Sequence, residues 1–134
     1  MALAYQRLLA LAMPRFVVLE HHWEGVHWDF MLEADGVLRT WALAEEPDAR
    51  SPQAARQLFD HRLRYLDYEG PISRNRGHVR RWDRGTYEVL QWSEQQVRVQ
   101  LCGQRLRGIA HLQRLSAESW EFRFSATDRA PSAS

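Results

Sequence analysis

Three histidines and an aspartate fall within nine residues of one another: His21, His22, His27 and Asp29, in the stretch EHHWEGVHWDFMLE from Glu20 to Glu33. Imidazole nitrogen and carboxylate oxygen are the donor types of divalent-ion sites. Without a thiolate they suit Mn, Zn, Fe or Ni better than a structural, cysteine-rich zinc site. From Val26 onward the residues alternate, with Val26, Trp28, Phe30 and Leu32 on one side and His27, Asp29, Met31 and Glu33 on the other. That is the period of a strand with one apolar face, so His27 and Asp29 project together. Trp23-Glu24-Gly25 reads as a turn that returns His21 to the side of His27, while His22 points the other way. The expected ligand set is His21, His27 and Asp29. The competing reading is a hydrogen-bonded surface pair, His27 with Asp29.

A second group that could do chemistry lies farther on. His61 and Tyr65, four residues apart, share a face if that segment is helical or tightly turned, and both would then reach one phosphate. Around them arginine is dense. All eighteen basic residues of the chain are arginine, and Arg56, Arg62, Arg64, Arg74, Arg76, Arg80, Arg81 and Arg84 are interleaved with Tyr65, Tyr68 and Trp82. The guanidinium fork grips phosphate in two places at once, and arginines alternating with aromatics suit a groove for nucleic-acid backbone and bases. Arg74, Arg76 and Arg80 are among the arginines such a groove would use.

The elements that must position these residues are mostly strands. Arg15 to Glu20 is β-branched and aromatic. Ala34-Asp35-Gly36 is a hairpin turn before a strand from Val37 to Leu43. Ser51-Pro52 has the chemistry of a helix start, which predicts a short helix over 51–60, and leucines and alanines at helical spacing predict another over 2–12. Glu69 to Gly77 reads as a mobile loop edging the site. From His78 onward strands of similar length alternate with polar turns, one of them placed at Arg84-Gly85. The pattern predicts a small antiparallel β-barrel or sandwich carrying these two short helices.

At 134 residues and 15.8 kDa the chain is expected to be one domain, with its core over about 14–125 and a disordered tail over 126–134. A hydrophobic fraction of 45% with six tryptophans supports a packed core, and a net charge of +1 predicts nothing about polyanions by itself. No apolar run approaches membrane-span length and no secretory leader is evident, so a cytoplasmic monomer is expected. The lone Cys102 excludes an internal disulfide and reads as buried filler.

Taken in order, His21, His27 and Asp29, then DGVLRTWAL from Asp35, then His61 and Tyr65 before Tyr68-Glu69-Gly70, then Trp82-Asp83-Arg84-Gly85-Thr86, resemble one family. It is the 3′-phosphoesterase domain of bacterial DNA ligase D, matched from about Arg15 to Phe124. The resemblance implies a small β-barrel and a manganese-dependent site, with Zn, Co or Ni as other candidate ions, that removes a 3′ phosphate or 3′ ribonucleoside from DNA or DNA/RNA primer ends. It implies His21, His27 and Asp29 as metal ligands and His61 and Tyr65 as catalytic residues, and it suggests separate ligase, polymerase or Ku proteins as partners. The chain departs from the family at Met31, where an arginine is usual, and near Glu45, where a lysine is. The loop before Trp82 is shortened, and the usual N-terminal arm has no counterpart. A non-catalytic module that binds nucleic-acid ends or a repair partner is the alternative. The facial triad of iron oxygenases is a more distant one.

Overall fold

The computed structural model describes residues 13–49 and 51–127. Nine strands follow one another: β1 Arg15–His22, β2 Val26–Ala34, β3 Val37–Leu43, β4 Gln53–Gln57, β5 Gly70–Pro71, β6 His78–Trp92, β7 Gln96–Gly103, β8 Arg107–Ser116 and β9 Ser119–Ala126. Their order is β1-β2-β3-β4-β9-β8-β7-β6, and β1 pairs with β6 to close the sheet into an antiparallel barrel, with β5 a short addition beside β6.

Period-two patterning carries the core. In β7, buried Val97, Val99 and Leu101 alternate with exposed Arg98 and Cys102. The inward residues form one cluster including Phe16, Val18, Phe30, Leu32, Trp41, Leu101, Trp120 and Phe122. Edge-to-face aromatic pairs lock it, Phe30 on Phe122 at 5.2 Å and Trp41 on Trp120 at 5.5 Å. A second apolar cluster lies on the outer face of β1, β2 and β3: Val17, Leu19, Met31, Leu38, Leu66 and Val79, with Tyr65, Tyr68 and Ile72 against it. The excursion between β4 and β6 folds over that outer face. Burial on both faces explains why β1 reads as an unbroken apolar run rather than an alternating one.

Several sequence expectations give way here. Residues 53–57 are a strand, not part of a helix: β4 pairs with β3 through Ala42↔Arg56 and with β9 through Ala55↔Trp120. Alanine, arginine and glutamine favour helix locally, but β3 and β9 would otherwise present open edges, and ladder pairing outweighs a weak propensity. The one helical element among the described residues is a 3₁₀ turn at Leu63–Leu66. The helix expected over 2–12 lies outside the described residues.

Arg84-Gly85 is not a turn, because β6 runs unbroken through it. Gly85 is required by packing: a Cβ there would lie 2.0 Å from the Cys102 carbonyl oxygen. Cys102 itself is exposed, on the outward parity of β7.

Candidate metal centre

The β1–β2 hairpin does what its spacing predicts. His21 and His27 are direct cross-strand partners, and Asp29 faces Leu19 one same-face step away. The turn between them uses left-handed backbone at Glu24 (φ 54) and Gly25 (φ 108), the second a conformation that glycine takes without steric cost.

All three side chains project from the outer face. Asp29 is buried, at 3% exposure. The His27 Nδ1–H donates to its Oδ1 at 2.8 Å, and His21 Nδ1 stands 3.6 Å from its Oδ2. One donor atom from each residue can be chosen so that all three lie within 4.8 Å of one another. Donors about 2.1 Å from a common ion stand roughly 3.0–3.4 Å apart, so small adjustments would seat one cation. The two-nitrogen, one-oxygen set fits manganese or zinc.

The charge state supports the same reading. Burial, the largest influence on Asp29, acts to raise its pKa, yet hydrogen bonds from His21 and His27 outweigh it and hold the carboxylate below its ordinary value. His21 is raised, chiefly by its bond to Asp29, with burial opposing.

His21 is also braced from behind. Its Nε2–H donates to the Arg76 carbonyl at 2.8 Å, which turns Nδ1 toward Asp29. The loop carrying Arg76 comes so close that a Cβ on Gly77 (φ +76) would lie 1.8 Å from the His22 carbonyl oxygen. Trp23 stacks on the His21 ring at 6.1 Å and is 40% exposed. The bracing carbonyl was invisible in the sequence, because a backbone acceptor 55 residues away has no residue-type signature.

His61 and Tyr65 lie on the same outer face. His61 bridges to Leu38 on β3, its ring donates to the Phe59 carbonyl, and Tyr65 meets it edge-on at 5.9 Å. Between this pair and the triad sits Met31, 1% exposed within the outer apolar cluster.

Of the three arginines expected at the phosphate, Arg76 reaches the site through its backbone carbonyl while its guanidinium turns back to Ser73, and Arg74 lies on the same loop. Arg80 is not brought there. It pairs with Glu20 at 3.1 Å on the opposite face of the sheet, beside His22 and His78.

A family model described as the DNA Ligase D 3′-phosphoesterase domain matches residues 19–114. The chain belongs to that family. The match takes in the triad, His61 and Tyr65.

Among curated relatives, the multifunctional non-homologous end joining DNA repair protein LigD of Mycobacterium tuberculosis is 38% identical over 114 residues, 78% of this chain and 15% of that protein. The multifunctional non-homologous end joining protein LigD of Pseudomonas aeruginosa is 40% identical over 81 residues, 57% of this chain and 10% of that protein. The Mycolicibacterium smegmatis protein of the same description is 35% identical over 80 residues. The chain therefore spans about a sixth or less of the length of these relatives.

Within this 3′-phosphoesterase-family domain, the Trp82–Thr86 block serves the scaffold. A bulge in β6, where the register with β1 shifts, lets the consecutive Trp82 and Asp83 both face inward. The buried Asp83 carboxylate accepts backbone N–H bonds from Gln104 at 2.8 Å, Arg105 at 3.1 Å and Leu106 at 2.8 Å, fixing the β7–β8 connection. Arg105 lies over the Trp82 ring at 4.4 Å, and Arg84 reaches Asp67 at 3.7 Å. The one arginine of this block, Arg84, thus faces a carboxylate, and Arg105 packs on its tryptophan.

Proposed function

We propose that this domain is a divalent-metal-dependent 3′-phosphoesterase, manganese being the preferred ion, that clears a 3′ phosphate or 3′ ribonucleoside from DNA or DNA/RNA primer ends during end joining. The observation that carries the reading is the convergence of His21, His27 and Asp29 on one point of the outer face, in a chain whose family takes its name from that reaction. A cytoplasmic location and separate ligase, polymerase or Ku partners follow from the same reading. No helix among the described residues is long and apolar enough to cross a membrane.

A bound divalent ion supplies charge stabilisation and a more acidic water at neutral pH. The chain's own groups do the rest. Asp29, buried and ionised, anchors the ion, and His21 is oriented by the Arg76 carbonyl. His61 would donate a proton to the departing oxygen or a hydrogen bond to the phosphate, and Tyr65 would add a hydroxyl donor beside it. Arg74 and Arg76, on the bracing loop, would add to the positive potential that draws in the polyanion.

The buried Met31 favours a second reading, a domain that holds 3′ ends without turnover, because the position two residues after Asp29 offers hydrocarbon where the resembled family carries an arginine. Incubating the protein with 3′-phosphate and 3′-ribonucleotide primers, with manganese and with chelator, separates the two. Metal-dependent release of the 3′ group supports the enzyme. Tight, selective binding without release supports the module. Neither release nor selective binding would overturn both readings.

A further inference from the structure

Beside the triad, on the same face, lies an open cavity of about 670 Å³ whose wall includes His27, Ala42, Ala44, Ala54, Arg56 and Glu118. That volume is within the range of about 300–1,000 Å³ that small-ligand sites occupy. Strand register explains its position. Asp29 pairs with Ala42, Ala42 with Arg56, and Arg56 with Ser119, so these residues form one row across four strands. Neighbouring strands lie about 4.8 Å apart, so the Arg56 backbone is roughly 10 Å from that of Asp29. Only the methyl group of Ala42 stands between them. An extended arginine spans that gap.

Arg56 is also available. Arg15, Arg39, Arg80, Arg81, Arg84 and Arg123 are each drawn to a carboxylate. Among the described residues the exposed Arg56 side chain has no such partner. The wall holds one acid, Glu118, whose backbone carbonyl accepts the Gln57 N–H.

We infer that Arg56 forms a phosphate subsite in this cavity, its guanidinium fork taking two oxygens of the substrate's 3′-terminal phosphate while the triad's cation takes another. The occupant is the terminal phosphate and the sugar bearing it, seated over the alanine floor. This inference rests on the 3′-end reading above and supplies the cationic grip that Met31 cannot.

The test measures binding apart from turnover. A 5′-labelled oligonucleotide ending in a non-hydrolysable 3′ phosphonate, which serves as the 3′-phosphate strand, and its 3′-hydroxyl counterpart, are titrated by fluorescence anisotropy with the manganese-loaded full chain. The proteins are wild type, Arg56→Gln, Arg56→Lys, Glu118→Gln and, as a charge-matched control on β7, Arg98→Gln. Arg56→Gln should weaken the 3′-phosphate strand tenfold or more and the 3′-hydroxyl strand less than threefold, with Arg56→Lys between. Glu118→Gln should tighten binding, and Arg98→Gln should change it less than twofold.

Manganese affinity and melting temperature, measured alongside, should be unaltered in Arg56→Gln. A loss of both would mark a structural role and overturn the inference. Equal losses for both strands, or a loss as large in Arg98→Gln, would replace the subsite with diffuse attraction to the backbone. If the Arg56 effect appears but wild type releases no 3′ group, the subsite stands and the catalytic reading falls. If wild type is active and Arg56→Gln binds as wild type does, the reverse holds.

Discussion

His21 and His22 are neighbours in sequence and opposites in fate. His21 projects to the outer face, where it meets His27 and Asp29 at spacings a single ion can bridge. His22 projects to the inner parity, where it hydrogen-bonds Glu20 and stacks on His78 at 4.9 Å, with Arg80 also held by Glu20. Both clusters contain two histidines and one carboxylate. The donors of the outer one lie within 4.8 Å of one another. In the inner one the carboxylate is already neutralised by a permanent guanidinium, and the parallel rings offer no common focus. Ligand types therefore do not make a metal site until geometry leaves their lone pairs aimed at one point.

Substitutions in the two clusters should diverge most at Asp29. Asp29→Asn is expected to lower manganese affinity at least a hundredfold by titration calorimetry, with the β-sheet circular dichroism retained. An affinity within tenfold of wild type would remove Asp29 from the ligand set. His27→Ala should abolish metal-dependent 3′ processing in a gel assay; unchanged turnover would defeat its assignment.

Asp83→Asn probes the scaffold instead. Weakening the carboxylate that holds three backbone donors should cost about 1.5–3 kcal/mol in urea denaturation, while manganese affinity stays within threefold. On the inner face, His22→Ala and Arg80→Gln should each change manganese affinity less than threefold. A tenfold loss would mean the two faces are coupled.

The smallest effect concerns pH. His21 is raised above its ordinary 6.5, so its pairing with Asp29 stabilises the apo protein fully below that value and fades as pH rises through the higher folded value. Asp29 is depressed below 3.8, so its contribution is present above that value and is lost as pH falls through the lower folded one. The melting-temperature advantage of wild type over His21→Gln, measured without metal, should thus be greatest between about pH 4 and 6.5 and shrink toward pH 8. An advantage that grows toward pH 8 would reverse the sign assigned to His21. Manganese should raise the wild-type melting point more at pH 8 than at pH 6, since protons compete for the same nitrogen.

Much of the site was legible because a hairpin is a local object. Alternation from Val26, a glycine turn at Gly25 and ligand residues on one parity are all set within fourteen residues, and the pairing of His21 with His27 follows from them. The strand at 53–57 was not legible. Its residues favour helix, and only the open edges of β3 and β9 recruit it. Gly85 was misread for a similar reason: glycine marks a turn when seen along the chain, but here it admits the Cys102 carbonyl from the neighbouring strand. Cys102 looked like core because the faces of an alternating strand are interchangeable until the barrel's interior is known.

By itself the sequence determined that two imidazoles and a carboxylate share one face of a hairpin, and the β character of the chain, since both depend on residue type and short-range periodicity. Tertiary structure alone decided which face of each strand became interior. Barrel closure sent Arg80 to Glu20 and left Arg56 open in the row that contains Asp29, because contacts between strands tens of residues apart are fixed by edge pairing and burial, not by local sequence.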